Sequence, residues 1–179
     1  MLELNLPFEH SVVAPAPPSA VYALLDDIPD SLAHFPKLDR VRREGETWFW
    51  EMEKIGLGKF NVQVVYAVRY EKDPAAHSIS WAPVDESGNA WATGRWTLSE
   101  LGAGTRMTLK NDLRVRFRGI PGLVRRVVEP LARRENRGLI QGYMERLVET
   151  LGGGDGRLRT RAQTLGSGTP GPGAGGAGS

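Results

Sequence analysis

The chain has 179 residues, a quarter of them charged, no cysteine and a formal net charge of +2. Disulfides and thiolate metal sites are thereby excluded, and His10, His34 and His77 fall in no HxxxH or HExxH spacing, so no metal and no other cofactor is expected. No stretch approaches the roughly 18 apolar residues of a spanning helix, and Met1–Pro7 lacks the basic start of a signal peptide, so the expectation is a cytoplasmic protein.

Residues 2–13 alternate, with Leu2, Leu4, Leu6 and Phe8 against Glu3, Asn5 and Glu9, which predicts a half-buried strand; Pro7 places it at an edge or on a bulge. Ala14-Pro15-Ala16-Pro17-Pro18 ends it. Ser19 is then placed to cap a short helix over Ala20–Asp27, and a second short helix covers about Asp30–Phe35, stopping before Pro36. From Leu38 onward the pattern is strand after strand: Leu38–Glu44, Thr47–Ile55, Lys59–Glu71, His77–Pro83, Ala90–Ser99 and Thr105–Arg118, divided by turns rich in Gly, Asp and Pro. Their alternation is that of antiparallel strands with one dry and one wet face. In the last strand Met107, Leu109, Leu113, Val115 and Phe117 face inward with Asn111 among them. At about 3.4 Å per residue it spans roughly 48 Å, so the sheet has to curl.

A helical segment over Leu123–Glu129 follows, and Pro130 is expected to kink or restart it. Leu131–Leu151 continues with an apolar stripe of Leu131, Leu139, Tyr143, Leu147 and Leu151, on which Gly138 and Gly142 sit one turn apart. The dry face of so long a sheet needs a cover, and this helix is the only element long enough. Residues 152–179 hold eleven glycines and almost nothing apolar. The expected organisation is therefore one ligand-binding domain over 1–151 and a disordered Gly/Pro-rich tail over 152–179.

The element order resembles that of the START-like (SRPBCC) superfamily, on Val21-Tyr22-Ala23-Leu24-Leu25-Asp26-Asp27, Phe35-Pro36, Val41, Ile79-Ser80-Trp81, Gly94-Arg95-Trp96-Thr97-Leu98 and Gly104-Thr105-Arg106-Met107-Thr108. The resemblance covers roughly residues 8–151. It is to the branch that holds polyketide cyclases/dehydrases, coenzyme-Q-binding proteins and a family of carbon monoxide dehydrogenase subunits. It implies an α+β helix-grip fold: a curved antiparallel sheet of about seven strands, two short helices after the first strand, and a long C-terminal helix across the concave face. It also implies a cavity that carries or shields an apolar ligand, with catalysis in only some branches and no single catalytic signature to carry over.

On that basis the candidate ligand-binding residues are Trp50, Val64, Tyr66, Trp81, Trp96, Leu109, Asn111, Leu113, Gly142 and Tyr143. Each has a plainer reading beside it. The tryptophans line a pocket or pack an ordinary core. Asn111 meets a ligand, a water or the backbone, or a bulge turns it outward. Gly138 and Gly142 make room for a ligand or for close helix–sheet packing. Glu135 reaches solvent or pairs with an arginine. His10 and Tyr66, without a demonstrated contact, make no catalytic constellation. The leading expectation is a binding or carrier protein for a quinone, lipid or polyketide-like molecule. The alternative is a cyclase/aromatase- or dehydratase-like enzyme using the same cavity, and a third reading is an accessory protein acting through its basic face.

That face comes from uneven charge. Residues 1–113 carry 11 Lys/Arg against 16 Asp/Glu, and residues 114–151 carry 9 Arg against 4 Glu. Arg114, Arg116, Arg118, Arg125 and Arg126, beside Ile120-Pro121-Gly122-Leu123-Val124, mark a surface for an anionic membrane or an acidic protein partner, or a solvated face balanced by Glu129 and Glu135. No nucleic-acid motif accompanies them, so nucleic acid is not an expected partner.

Overall fold

Alternating apolar residues commit most of this chain to strands with one face to hide. In the computed structural model, which describes residues 1–57, 60–84, 87–119 and 121–152, β1 (Leu2–Ala14) leads into α1 (Pro18–Asp26) and α2 (Ile28–Leu32). There follow β2 (Leu38–Glu44), β3 (Thr47–Met52), β4 (Ile55–Leu57), β5 (Phe60–Val62), β6 (Val65–Asp73), β7 (Ser78–Pro83), β8 (Ala90–Leu101) and β9 (Gly104–Phe117). One 3₁₀ turn, Gly122–Val124, precedes α3 (Arg125–Gly152). Seven strands form one antiparallel sheet in the order β1-β9-β8-β7-β6-β3-β2, while β4 and β5 pair as a separate hairpin. The architecture is the α+β helix grip, with α3 packed across the sheet's inner face.

β1 is an edge strand and runs against β9 in unbroken register, from Leu2 opposite Phe117 to Ala14 opposite Thr105. Pro7 therefore sits opposite Asp112 without a bulge; an edge strand has a row of unpaired backbone groups that tolerates a missing N–H. The strands expected over Thr47–Ile55 and Lys59–Glu71 are each cut short. β3 ends at Met52 and β6 begins at Val65, with the β4–β5 hairpin between them. Across that break Met52 N donates to Val64 O at 3.0 Å and the Gln63 amide to Met52 O at 2.9 Å. Alternation continues through the hairpin, so the sequence pattern alone carries no sign of where the sheet is left.

The helices also start differently from expectation. Ser19 does not cap α1: the N-cap is Pro17, which makes no side-chain bond, and Pro18 stands at the first helical position, where its missing N–H has no partner to lose. α2 begins at Ile28, capped by the Asp27 carboxylate, which accepts from Asp30 N at 3.2 Å. Pro130 does not restart the last helix, which runs unbroken for 28 residues, about 42 Å. The proline lies in its second turn and forfeits only the bond to the Arg126 carbonyl, while Ile140, Tyr143, Met144 and Leu147 anchor the helix further along. Gly152 is helical, and the expectation of a disordered tail concerns residues 153–179, outside the described residues.

The core has two parts. Under the C-terminal half of α3 the packing is solid: Val21, Leu25, Ile79, Leu98 and Met107 meet Met144 and Leu147, both fully buried. Under the N-terminal half a second cluster of Leu2, Leu4, Ile28, Met52, Val68 and Val115 faces Val128, Ala132 and Leu139, which are only partly buried. One end of α3 is therefore an anchor and the other a roof. Leu147→Ala should cost about 2–5 kcal/mol in a urea melt. Val127→Ala, on the exposed side of the roof, should stay within about 0.5 kcal/mol. Equal losses would contradict this division.

Candidate ligand-binding site

The two parts of the core leave a space between them, a cavity of about 330 Å³ bounded by the sheet, by α2 with its following loop, and by α3. That volume lies at the lower end of small-molecule sites, which run from about 300 to 1,000 Å³.

The cavity's floor is set by register. Tyr70, Trp81, Gly94 and Asn111 lie side by side across β6, β7, β8 and β9, with Tyr70, Trp81 and Asn111 in the lining; Phe8 of β1, opposite Asn111, continues the row beyond the cavity. Gly94 has no side chain, and the Trp81 indole occupies the place of one: a Cβ there would stand 2.2 Å from Trp81 Cζ2 and 2.7 Å from Lys110 O. Two rows further on, past Val68, Trp50 is opposite Tyr66, their rings stacked with centroids 5.4 Å apart and planes 18° from parallel. Phe35 stands edge-on to Trp50 at 5.6 Å and reaches Tyr143 of α3 at 5.1 Å, and Trp96 meets Tyr143 at 6.1 Å. Sheet, loop and helix are thus joined by an aromatic wall, rigid and apolar, with polar atoms at its edges.

Those polar atoms differ in what they are bound to. The Tyr143 hydroxyl is 2.5 Å from Ser31 Oγ, both buried; burial pushes this phenol up to about 12, with the Ser31 hydrogen bond opposing. Burial alone raises the Tyr66 hydroxyl still further, and Tyr70 also stands well above its ordinary value, chiefly through burial. The indole N–H of Trp50 lowers Tyr70 slightly, yet no acceptor among the described residues meets Nε1 at hydrogen-bonding geometry. Asn111 also faces the cavity, and its amide has no hydrogen-bond partner among the described residues. An amide offers two donors and an acceptor with two lone pairs, so a water or a bound molecule has to satisfy it.

The mouth lies where exposed residues join the lining: Lys37, Glu53 and Leu131, with half-buried Glu135. An ion pair between Lys37 and Glu135 crosses it from the loop after α2 to α3, and the carboxylate raises the lysine's pKa. The Lys37 carbonyl accepts from Glu53 N at 2.9 Å, tying the same loop to the end of β3. Lys37 adopts a left-handed φ of 56°, unusual for a residue with a side chain.

Among the sequence candidates, Trp50, Trp81 and Trp96 line this cavity, as do Val64, Tyr66, Leu109, Leu113, Asn111 and Tyr143. Asn111 is not on a bulge: β9 keeps its register with both neighbours, and inward alternation holds through it. Gly142 does not line the cavity. It precedes Tyr143 by about 100° of helix rotation and turns toward Pro36, whose Cγ a Cβ would meet at 3.9 Å. Gly138 is exposed, with nothing near it. His10 follows the inward alternation of β1 but packs beside Phe8, away from the cavity. Glu135 pairs with Lys37 and not with an arginine. Ser31, Phe35 and Lys37 contribute to the site and were not among the candidates; the only signal for them was the Phe35-Pro36 step, which marks a chain forced to turn under the sheet.

The basic residues divide into three groups. Arg114 and Arg116 flank Trp91 on the outer face of the sheet, 5.1 and 4.9 Å from its ring, and Arg116 also pairs with Glu3 at 3.3 Å. Arg125 and Arg133 share Glu129 and hold that carboxyl below the usual range. Arg118 and Arg126 are exposed and have no partner among the described residues.

Gly94→Ala should force Trp81 out of its place, costing about 1–3 kcal/mol and red-shifting tryptophan emission. Gly138→Ala, which meets nothing, should stabilise the helix by up to about 1 kcal/mol. An unchanged emission maximum for Gly94→Ala would overturn the account of the floor.

Solved structures share this fold. The protein TTHA0849 of Thermus thermophilus is 23% identical, with 82% of this chain and 98% of that one covered at a TM-score of 0.58. A START superfamily protein from Mycobacterium smegmatis is 14% identical, with 82% and 97% covered at 0.57. The di-domain ARO/CYC StfQ from the steffimycin biosynthetic pathway is 15% identical, with 84% of this chain and 51% of that one covered at 0.56. No curated protein matches the sequence. Residues 6–152 match the family described as polyketide cyclase / dehydrase and lipid transport, so this chain, a helix grip in fold, belongs to that family.

Proposed function

We propose that the protein binds a largely apolar small molecule carrying at least one hydrogen-bonding oxygen, and acts as its carrier. The observation that carries this reading is the half-buried Asn111 amide, facing an aromatic-walled cavity without a partner among the described residues. Apolar walls with a few placed polar groups are what a small-molecule site requires. A quinone, a lipid or a polyketide-like chain would each present an oxygen to Asn111 while stacking on Trp50, Trp81 or Trp96.

Carriage is favoured over catalysis by the chemistry of the interior groups. A cyclase or dehydratase needs a base within reach of the reacting carbon. The polar groups of the lining away from the mouth are the Asn111 and Asn136 amides, an indole N–H, a serine hydroxyl and phenols that burial keeps protonated. The carboxylates in the lining, Glu53 and Glu135, stand at the mouth, and Glu135 is held by Lys37. These groups can orient and hydrogen-bond a ligand; they are poorly placed to take a proton from one.

Titration with a naphthoquinone should quench tryptophan emission saturably. Ala132→Phe, which fills the roof, should abolish the quenching, and Gly142→Ala should leave it intact. Asn111→Leu should weaken the quinone by about five- to tenfold without weakening naphthalene, which has no oxygen. Quenching that never saturates, or that Ala132→Phe leaves unchanged, would refute the site. Turnover of a poly-β-ketone mimic, lost in Tyr143→Phe, would replace the carrier with an enzyme.

A further inference from the structure

The 3₁₀ turn before α3 and the first turns of α3 expose apolar side chains on the side away from the sheet. Leu123 is 93% exposed, Val127 75% and Leu131 52%. Val127 and Leu131, four apart on α3, form one ridge along the outside of the roof, and Leu123, four residues earlier, stands on the 3₁₀ turn that leads into it. Such a ridge on a helix end is not required by packing, since the inward side of the same turns already carries Val128, Ala132 and Leu139. Arg126, Arg134 and Arg137 lie alongside it, exposed and without a partner among the described residues. Over residues 118–137, without the strand arginines, the chain carries 6 Arg and 2 Glu, a net of +4.

We infer that this ridge docks the protein onto the surface of an anionic lipid bilayer. An apolar ridge set among arginines matches the layered chemistry of that surface: lipid phosphates meet the guanidinium groups, and the acyl boundary takes the leucine and valine side chains. Leu131 belongs to both the ridge and the cavity mouth, so docking brings the mouth to the bilayer. An acidic protein would satisfy the arginines but gives no reason for the ridge. Attachment is to the surface, because no helix among the described residues is long and apolar enough to cross a membrane. The strand arginines Arg114 and Arg116 take no part; they are engaged around Trp91 on the other side of the sheet. Docking stands whether or not the cavity carries a ligand.

The test is co-sedimentation of the full chain with phosphatidylcholine vesicles, with and without about one third phosphatidylglycerol. Binding should be at least tenfold stronger to the anionic vesicles and should be largely lost by about 0.5 M salt, where the screening length falls well below its value of ~10 Å at 0.1 M. Arg126→Glu/Arg134→Glu should lower it by at least tenfold. Leu123→Ser/Val127→Ser, which leaves the charge intact, should lower it severalfold; at these exposures neither variant should shift the melting temperature. Equal binding to both vesicles, binding to neither, or wild-type binding by the serine variant would overturn the proposal. Capture of polyglutamate in place of vesicles would also overturn it, assigning the face to an acidic polypeptide. Ala132→Phe should bind vesicles normally, so failure of the ligand reading and failure of docking are distinguishable.

Discussion

Everything in this protein depends on one covering problem: a curled seven-stranded sheet has a dry inner face that is longer than any one contact with a helix can fill. α3 is the only described element that extends across it. It is tied tightly at its C-terminal half, where Met144 and Leu147 are completely buried. Toward its N-terminus the side chains that face the sheet shrink to Val128 and Ala132. Close packing of both ends would need large residues throughout, and interiors do not tolerate such gaps without cause. The gap that remains is the cavity, and its walls inherit the sheet's alternation.

Within that gap the aromatic residues do two jobs. Stacked and edge-on contacts from Tyr66 through Trp50 and Phe35 to Tyr143 couple the sheet to the helix across the space, so the space persists without filling. They also leave polar edges, of which Ser31 and Tyr143 satisfy one another and Asn111 satisfies nothing among the described residues. The Trp50 indole N–H, buried in this wall without an acceptor among the described residues, is a standing cost to the fold. It makes sense in a protein whose bound molecule completes the hydrogen bonds. Gly94, between Trp81 and Asn111 across the sheet, serves the same end, because its missing side chain leaves room for the Trp81 indole.

Much of this was legible in the sequence, and the limits have physical causes. The strand faces, the edge position of β1 and the inward rank of β9 follow from period-two alternation and from Pro7. Of the nine sequence candidates that line the cavity, eight stand in strands or on the α3 stripe, where periodicity fixes the face, and Val64 lies just before β6. Gly142 failed because a helical residue one position from the stripe turns by about 100°, and a wide stripe hides that difference. The β4–β5 hairpin was missed because alternation is blind to a change of sheet. Ser31, Phe35 and Lys37 were missed because they sit in and just after a five-residue helix, where no period can be established. The arginines showed as a cluster in sequence but part company in space, since strand and helix carry them to different faces.

The central claim is that the space between sheet and α3 is a site for an apolar molecule and not a packing defect. Native mass spectrometry of the full chain, purified without detergent from its own host, tests it most directly. The account predicts a species heavier than the bare chain by one small molecule, released into organic solvent on denaturation. Only the bare mass, before and after exposure to the host's lipid extract, would contradict it.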